Sequence, residues 1–376
     1  MKRLYWTQPD TLEAEVAVAV VEDCAVTIDP ILFHPDEGGQ PADLGTIGDA
    51  NVLDVEIVDG RIVHRLDQPL SAGRYTARVD RQRRQHTAQH HTAQHIISGL
   101  AEEQFGLKTI GVHIGLQRCT VDFDRKIEWD TITALERAAL EVVTRNLPVE
   151  TAFDATGVRS RDDLKAVEAD VIRVVKIAGC DKSACCGAHV GATGQIGLIR
   201  LCDIESKKQG TRVTFLAGAA ALEYSQAETS VLRDLRKVAS CATPELLAIF
   251  EKALAQAKEL AKEVDQLWSQ RLPDLAASAE VVEVESSKVG IQIVGIPEAL
   301  VAKLAALIAQ ATAGAGIAIS GTRIAIHAET LDAGALLRTI QAVAGGKGGG
   351  SPKAANGRLE RALTAGELAA ILKGGE

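Results

Sequence analysis

The sequence predicts an α+β protein with several domains. Three observations support this: the first eighty residues form short strand-like runs, the middle mixes strands with helices, and the last hundred residues alternate the two again. At 376 residues the chain is too long for one ordinary domain, because domains commonly contain about 100–200 residues. A hydrophobic content of 46% is sufficient for several buried cores.

Residues 1–80 are predicted to form a small β-barrel-like module. Short β-branched runs separated by Gly, Asp and Pro are typical of antiparallel strands. Between Ala14 and Val79 these runs are EVAVAVV, AVTI, NVLDVEIV, RIVHRL and YTARV.

Residues 81–218 are predicted to form an α+β core that begins with a histidine-rich helix. Apolar residues such as Ile97 and Leu100 give that helix a buried face, and Gly106 is a stop signal. A second helix is expected to begin at Asp130 and to end near Pro148. The predicted strands are GVHIGLQRCTVDFD, VIRVVKI, GQIGLIRL and TRVTFLAG.

Residues 219–275 are predicted to form a helical arm. The segment Thr243-Pro244-Glu245 combines an N-cap residue with proline at the first helical position. From Leu247 to Trp268, apolar residues recur in alternating steps of three and four, which is typical of a helical hairpin or coiled coil. A helix packed on its own domain is the alternative.

Residues 276–376 are predicted to form a compact α/β domain. Apolar strands (VGIQIVGI, GIAISG, RIAIHA) alternate with helices (PEALVAKLAALIAQATA, LDAGALLRTIQAVA), and a glycine-rich loop follows at 345–350. Either this domain or the helical arm would allow a homodimer.

Composition argues against some cellular locations and classes of protein. The N-terminal segment lacks the apolar core of a signal peptide, and no stretch contains ~18 uninterrupted apolar residues, so we expect a cytoplasmic protein with no membrane contact. A net charge of −9 argues against nucleic-acid binding by bulk charge, although local basic groups remain. The seven cysteines are irregularly spaced, which favours free thiols or metal ligands over disulfides.

Two short segments concentrate metal-binding side chains. The first is QHTAQHHTAQH at Gln85–His95, and the second is CCGAHV at Cys185–Val190. Together they can supply two imidazoles at helical spacing, one thiolate and one further imidazole. Three histidines and one cysteine are typical of a zinc site, so the sequence predicts Zn²⁺ as a cofactor.

The histidines of the first segment form two alternative pairs. Residues four apart lie on one face of a helix, so either His86 with His90 or His91 with His95 can bind one ion. The pairs are rotated by ~140° from each other, so one site uses only one pair. An apolar face near Ala93 favours His91 and His95 as the pair that faces a cleft.

The second segment also leaves alternatives. Cys185 or Cys186 can chelate an ion with His189, because Gly187 lies in the turn between them. A structural zinc closed by a fourth ligand such as Cys180 is another arrangement. Buried, hydrogen-bonded histidines beside an inert cysteine pair would involve no metal.

Several motifs, in order along the chain, resemble the editing domain of alanyl-tRNA synthetases and its free-standing relatives, the AlaX proteins. These motifs are Gly38-Gly39-Gln40-Pro41, Asp80 with Arg83-Arg84, His91-Thr92-Ala93-Gln94-His95, His113-Ile114-Gly115, Cys185-x-Gly187-x-His189-Val190 and Arg212-Val213-x-Phe215. The segment GGKGGGSP resembles the glycine motif of the synthetase C-terminal domain. The order of segments matches the long form of AlaX.

The resemblance implies a zinc-dependent hydrolase that deacylates tRNA(Ala) carrying a wrong amino acid, usually serine and sometimes glycine. It assigns the zinc ligands to His91, His95, Cys185 and His189. It assigns substrate binding to Ile31, Glu37, Gly38, Gly39, Gln40, Ala188 and Arg212, of which Gly38, Gly39 and Gln40 are candidates for positioning water or stabilising an oxyanion. Together with local positive charge, it assigns tRNA binding to Arg83, Arg84, Lys347, Gly348, Gly349, Gly350 and Lys353.

Three positions depart from the family pattern. Glu37 stands where the free-standing relatives usually have glycine, Ala188 replaces a threonine, and Ile31 stands where a threonine is common. Loss of two hydroxyl groups would weaken hydrogen bonds that favour serine over alanine, so the preferred aminoacyl group is left open.

The sequence also bears on three other functions. A full synthetase is not expected at this length, whereas a catalytically lapsed, zinc-containing protein that binds tRNA or regulates is an alternative. A phosphoesterase is disfavoured because residues 280–376 contain no Asp/His metal cluster and only one histidine, His327.

Overall fold

The computed structural model describes residues 2–153 and 173–374. These residues form two compact units, Met1–Leu235 and Arg236–Glu376. The mixed α+β class predicted from the sequence is confirmed, and the described part contains eight α-helices. The first helix, α1, is the short Leu4–Thr7.

The first unit begins with a closed, six-stranded antiparallel barrel, which confirms the predicted barrel. Its strands are β1 (Glu13–Glu22), β2 (Ala25–Asp29), β3 (Gly45–Ile47), β4 (Ala50–Val58), β5 (Arg61–Leu66) and β6 (Gly73–Val79). They follow the order β1-β2-β5-β4-β3-β6, and β6 pairs with β1 to close the barrel. The sequence pattern missed β3, which is too short to show alternation.

The rest of the first unit surrounds α2 (Arg81–Phe105). Its other elements are β7 (Thr109–Ile114), β8 (Cys119–Phe123), α3 (Trp129–Thr144), β9 (Val149–Ala152), β10 (Val174–Ile177), β11 (Asp181–Ala184), β12 (Ile199–Lys207) and β13 (Gly210–Ala217). The strands form a four-stranded sheet, β12-β13-β8-β7, and a three-stranded sheet, β11-β10-β9. The single predicted strand GVHIGLQRCTVDFD is a hairpin of β7 and β8.

The boundaries of α2 follow from local chemistry. The Asp80 carboxylate accepts a hydrogen bond from the Arg83 amide (3.0 Å), and Gly106 ends the helix in the left-handed conformation, as predicted. The second helix begins slightly earlier than predicted, since Glu128 is the N-cap of α3 and Asp130 lies in its first turn. There a carboxylate is favoured by the partial positive charge of the helix N-terminus.

Helix α2 is buried around nearly its whole circumference from Arg84 to Ala101. At Gly99 a Cβ atom would overlap the carbonyl oxygen of Cys180, so glycine allows the helix to approach the chain just before β11. Members of both histidine pairs are therefore buried. His90 is 0% exposed and His91 is 1% exposed, because the barrel side and the sheet side both cover this helix.

The second unit contains a six-stranded sheet in the order β14-β15-β16-β17-β19-β18. Helix α4 (Gly218–Ala239) runs across the boundary between the units. The remaining elements are α5 (Leu246–Ala277), β14 (Glu280–Val284), β15 (Ser287–Ile293), α6 (Glu298–Thr312), β16 (Ala315–Ser320), β17 (Arg323–Ala328), α7 (Ala333–Ala344), β18 (Lys347–Gly350), β19 (Ala354–Arg358) and α8 (Ala365–Leu372). Apolar residues of α6 and the end of α5 form one core, and those of α7 and α8 form another.

The glycine-rich segment predicted as a loop is instead an edge strand. Lys347–Gly350 forms β18, which pairs antiparallel with β19. A Cβ at Gly348 or Gly350 would overlap the backbone of β19, which explains how glycine permits this close pairing. All four residues of β18 are exposed.

The helix α5 differs from its prediction in two details. It begins after a short 3₁₀ turn, Thr243–Glu245, and it continues through Pro273 to Ala277. None of the helices in the described ranges has the length and apolarity needed to cross a bilayer.

Candidate metal centre

The structure brings four side chains from two distant segments together: His91, His95, Cys185 and His189. Their ligand atoms all lie within 4.8 Å of one another. Cys185 Sγ lies 3.3 Å from His91 Nε2 and 3.3 Å from His189 Nε2. Helix α2 supplies the first two residues, and the turn after β11 supplies the others.

The second nitrogen of each imidazole is already engaged, which orients all three rings. His91 Nδ1 lies 2.7 Å from Gln40 Oε1, His95 Nδ1 lies 2.7 Å from Asp181 Oδ2, and His189 Nδ1 lies 3.1 Å from Thr92 Oγ1. The Thr92 hydroxyl donates to the Ala88 carbonyl (2.8 Å), and so it accepts from His189. These partners place the ring protons on Nδ1 and direct the Nε2 lone pairs toward one centre.

This arrangement fits a zinc ion. The ligand atoms of a tetrahedral site are separated by about 3.4–3.6 Å, given typical Zn–N and Zn–S bond lengths. The sulfur–nitrogen distances of 3.3 Å are close to that spacing. His95 Nε2 is buried without a hydrogen bond of normal geometry, as expected for an atom that binds a metal ion.

The charges around Cys185 favour its thiolate, which is the form that binds a metal ion. Burial alone would raise the pKa of Cys185, but the adjacent imidazoles His91, His189 and His95 hold it well below its ordinary value. Burial would lower the pKa of His95, but the Cys185 thiolate and Asp181 carboxylate raise it to about 9. Burial lowers the pKa of His189 well below its ordinary value. The shifts of Cys185 and His95 therefore have a common cause, because a thiolate and a protonated imidazole stabilise each other.

Gly187 allows the cysteine turn to approach the helix. A Cβ atom at this position would overlap the His91 ring and lie 2.7 Å from Gln40 Oε1. The same Gln40 oxygen accepts a hydrogen bond from the Ala188 amide (3.1 Å). The buried side chain of Gln40 therefore fixes both His91 and the turn that contains Cys185.

The backbone of the cysteine turn is also held from the opposite side. Trp6 Nε1 donates to the carbonyl oxygen of Cys186 (2.8 Å). Arg173 Nη1 donates to the carbonyl oxygens of Cys185 (3.0 Å) and Gly187 (2.8 Å). These contacts fix the direction of the Cys185 side chain.

The Glu37–Gln40 turn lies against β7. Gly38 and Gly39 have φ values of 65° and 78°, which explains why glycine occupies both positions. Both are exposed, and the Ile114 amide donates to the Gly39 carbonyl oxygen (3.0 Å). The amides of Gly38 and Gly39 make no hydrogen bond within the ranges that the structure describes.

Arg84 and Asp43 form a buried ion pair that joins α2 to the segment before that turn. Arg84 is 3% exposed and Asp43 is 1% exposed, and the guanidinium donates to the carboxylate from both Nε and Nη2. Nη2 also donates to the Leu32 carbonyl (2.8 Å). Arg84 was predicted to bind tRNA. In the structure its side chain is buried and connects these two elements.

The alternative ligands His90, Cys180 and Cys186 lie outside the four-residue group. His90 uses both ring nitrogens, since Nδ1 lies 2.8 Å from the His86 carbonyl and Nε2 accepts from the Ala217 amide (3.0 Å). Cys180 contacts the Ile96 carbonyl instead of the four-residue group. Cys186 is half-buried outside the group, and burial raises the pKa of its thiol to about 11.

The other predicted site residues have varied surroundings. Ile31 is 4% exposed and Ala188 is 1% exposed, whereas Glu37 pairs with Arg3 (3.2 Å). Arg212 forms a bidentate pair with Asp122 on β8. Of the predicted tRNA-binding residues, Arg83 donates to the Ala42 carbonyl (2.7 Å), and the positions exposed in the second unit are Lys347, Gly348, Gly349, Gly350 and Lys353.

Sequence reasoning missed the residues that support the ligands. These are Trp6, Thr92, Arg173 and Asp181, and none has a spacing that indicates its partner. Thr92 lies between His91 and His95 on α2, and a polar residue at this position could have been predicted to contact a ligand. Trp6 lies 180 positions from the carbonyl it contacts, so only the fold reveals that contact.

A cavity of about 240 Å³ lies beside His189. Its walls combine polar residues, such as Arg81, Gln85 and Gln195, with apolar ones, such as Leu12 and Val190. Of the four candidate ligands, His189 lines this cavity.

Part of the chain matches a known family model. Residues 172–213 match the family model described as the threonyl and alanyl tRNA synthetase second additional domain, and this range contains Cys185 and His189. The predicted family resemblance is confirmed.

The chain is also similar to alanine–tRNA ligases over most of its length. It is 30% identical over 400 residues to the ligase of Methanosarcina barkeri, covering 95% of this chain and 42% of the relative. It is 31% identical over 419 residues to the ligase of Methanosarcina mazei, and this match covers 97% of this chain and 44% of the relative. It is 30% identical over 293 residues to the ligase of Natronomonas pharaonis, and this match covers 72% of this chain and 31% of the relative. The chain therefore spans less than half the length of these relatives.

Zinc affinity is predicted to rise with pH. Because the pKa of His95 is about 9 in the metal-free site, an ion must displace its proton below that pH, whereas Cys185 is already a thiolate. The apparent association constant should therefore increase about tenfold per pH unit from pH 7 to pH 8.5. Competition with a chelator of known protonation measures this slope. An affinity independent of pH over that range would contradict a protonated His95.

Proposed function

We propose that this chain is a trans-editing hydrolase that deacylates mischarged tRNA(Ala) in the cytoplasm. Its substrates would be Ser-tRNA(Ala) and also Gly-tRNA(Ala). The observation that carries the proposal is the buried group of three imidazoles and one thiolate, within a chain similar to alanine–tRNA ligases. The matched second additional domain contains two of the four residues.

His91, His95, Cys185 and His189 would hold Zn²⁺. When bound, the ion would supply positive charge that polarises the ester or orders a water molecule. The protein ligands use four positions, and Gln40, Asp181 and Thr92 keep the imidazoles fixed while the substrate is bound.

The Glu37–Gln40 turn would stabilise the charge that develops on the ester oxygen. The amides of Gly38 and Gly39 are exposed and are not used by the backbone in the described residues. Preorganised backbone amides are effective oxyanion donors because they need no reorganisation during the reaction. Asp181 is a poor candidate for a general base, since its two oxygens are engaged by His95 and Ser183.

Three departures from the family pattern bear on the aminoacyl pocket. Ile31 and Ala188 are buried and supply no hydroxyl group, and Glu37 places a carboxylate beside the proposed oxyanion donors. We propose that Arg3 offsets this negative charge by pairing with Glu37. Without that pairing, the carboxylate would oppose the developing negative charge on the ester.

A matched pair of histidine substitutions on α2 tests the deacylase. His95→Ala is expected to remove zinc and to lower kcat/KM for Ser-tRNA(Ala) at least 100-fold, a loss typical of a removed electrostatic stabiliser. His86→Ala, on the same helix but outside the four-residue group, should retain zinc and activity within threefold. Metal analysis and deacylation of Ser-, Gly- and Ala-tRNA(Ala) give the readouts.

The wild-type protein should hydrolyse Ser-tRNA(Ala) and spare Ala-tRNA(Ala). Equal rates on all three substrates would refute editing specificity. A folded, zinc-containing wild type with no activity on any of them would instead support the lapsed tRNA-binding protein.

We also propose that the second unit binds tRNA through its exposed edge strand. Lys347 and Lys353 flank the glycines of β18, whose exposed backbone allows close approach of RNA phosphates. In the first unit, Arg83 and the cavity lined by Arg81 would contact the acceptor end. Arg212 remains proposed for substrate binding through the part of its side chain that is exposed.

Charge reversal tests the edge strand. The double variant Lys347→Glu/Lys353→Glu should raise KM for charged tRNA about fivefold with kcat unchanged, because phosphate contacts are lost. The control Lys288→Glu/Lys303→Glu changes the net charge equally at exposed positions elsewhere in the same unit. An equal rise in KM in both variants would indicate a bulk charge effect and would contradict a specific role for β18.

A homodimer through the helical arm is a further proposal. Helix α5 exposes large apolar side chains, including Leu247 (68% exposed), Phe250 (63%) and Leu267 (65%). Exposed apolar surface of this kind is unfavourable in water unless another surface covers it.

A further inference from the structure

His34 has a fixed position in the barrel segment that leads to the Gly38–Gly39 turn. It is 0% exposed. Its amide donates to Asp43 Oδ2 (2.6 Å), and its carbonyl oxygen accepts from the Asp43 amide (3.0 Å). Its ring packs edge-on against Tyr5, with 5.2 Å between ring centroids. The imidazole therefore has little freedom to turn toward other partners.

Neither ring nitrogen of His34 has a hydrogen-bond partner among the described residues. The amide nitrogen Nε2 of Gln40, also 0% exposed, is likewise unpaired. The other buried histidines each use at least one ring nitrogen, namely His64, His90, His91, His95 and His189. Buried polar atoms are normally paired with protein, water or ligand. The three unused atoms therefore indicate a partner that the chain itself does not supply.

The unused atoms belong to neighbours of the metal centre. Gln40 contacts His91 directly through Oε1, and the charges of His91 and Cys185 act on the His34 ring. Burial and the Arg84 guanidinium lower the pKa of His34 well below its ordinary value, so the ring is neutral. A neutral imidazole offers one N–H donor and one acceptor. A hydroxyl group, which both donates and accepts, matches that pair of atoms.

Other polar groups beside the centre are already committed. The Thr92 hydroxyl is bonded to the Ala88 carbonyl, His189 and the Val190 amide. Gln40 Oε1 accepts from His91 and Ala188. Ile31 supplies only apolar surface. Unused hydrogen-bonding capacity on this side of the centre is found on His34 and on Gln40 Nε2, and Tyr5 Oη and Arg84 Nη1 are likewise buried without a partner among the described residues.

We propose that His34, with Gln40 Nε2, binds the side-chain hydroxyl of the amino acid esterified to the tRNA. This inference rests on the proposed deacylase and names its substrate class, esters of hydroxylated amino acids such as serine. Alanine would leave the buried polar atoms unpaired, so a site built for a hydroxyl group rejects it. The hydrogen bonds are strong because the position is shielded from water. His34 thereby compensates for the missing hydroxyls at Ile31 and Ala188.

The variant His34→Phe tests this specificity role, because phenylalanine retains a ring against Tyr5 but has no polar atoms. It should lower kcat/KM for Ser-tRNA(Ala) at least tenfold, and leave Gly-tRNA(Ala) hydrolysis within twofold and zinc content unchanged. His34→Gln, which restores a donor and an acceptor, should recover part of the serine preference. The control His64→Phe replaces another fully buried histidine of the barrel, whose ring packs edge-on against Phe33, and should leave the serine-to-glycine ratio unchanged.

A measurement with the wild-type protein does not depend on the folding of any variant. tRNA(Ala) charged with cysteine presents a thiol, a weak hydrogen-bond group, in place of the hydroxyl. Wild type should deacylate it at least tenfold more slowly than Ser-tRNA(Ala). Equal rates on the two substrates would overturn the proposal.

The remaining outcomes distinguish a failure of the His34 proposal from a failure of the deacylase proposal. If His34→Phe lowers serine and glycine hydrolysis equally, or lowers only the melting temperature, the polar atoms bind a structural water and the proposal is refuted. An unchanged serine-to-glycine ratio in an active protein also refutes His34 recognition, while the deacylase proposal stands. A wild type inactive on every charged tRNA refutes both.

Discussion

The structure depends on one electrostatic constraint: three imidazoles and a thiolate are buried with their lone pairs directed at a common centre. Burial opposes the charged form of each group, so the cluster is costly without a cation that all four share. The pKa directions have one cause, since the Cys185 thiolate and the adjacent imidazoles stabilise each other's charged forms. The rest of the first unit serves to hold this centre in position.

The barrel contributes to the site through contacts, without supplying a ligand. Gln40 orients His91 and anchors Ala188, Trp6 holds the carbonyl of Cys186, and the buried pair of Arg84 and Asp43 connects the barrel segment to α2. Removing one partner of a buried ion pair leaves an uncompensated charge, so Arg84 and Asp43 depend on each other. These contacts fix the candidate metal centre relative to the Gly38–Gly39 turn, which the proposed ester hydrolysis would require.

The sequence predicted those features whose cause is local. Five of the six barrel strands show β-branched alternation, and Asp80 and Gly106 mark the ends of α2 by their own chemistry. Helical spacing indicated His91 and His95 as one of two pairs. The apolar face near Ala93 and the family resemblance favoured them over His86 and His90. Long-range packing was beyond such patterns: Asp181 lies 86 positions from His95, and β18 is a strand only because β19 pairs with its glycines. Burial of α2 on every side likewise depends on elements far away in the chain.

The direct test of this account is X-ray absorption at the zinc edge on freshly purified protein. The account predicts about one zinc per chain, with a first shell of three nitrogen ligands near 2.0–2.1 Å and one sulfur near 2.3 Å. Absence of zinc, or a shell with two sulfurs or with oxygen ligands alone, would contradict a centre formed by His91, His95, Cys185 and His189.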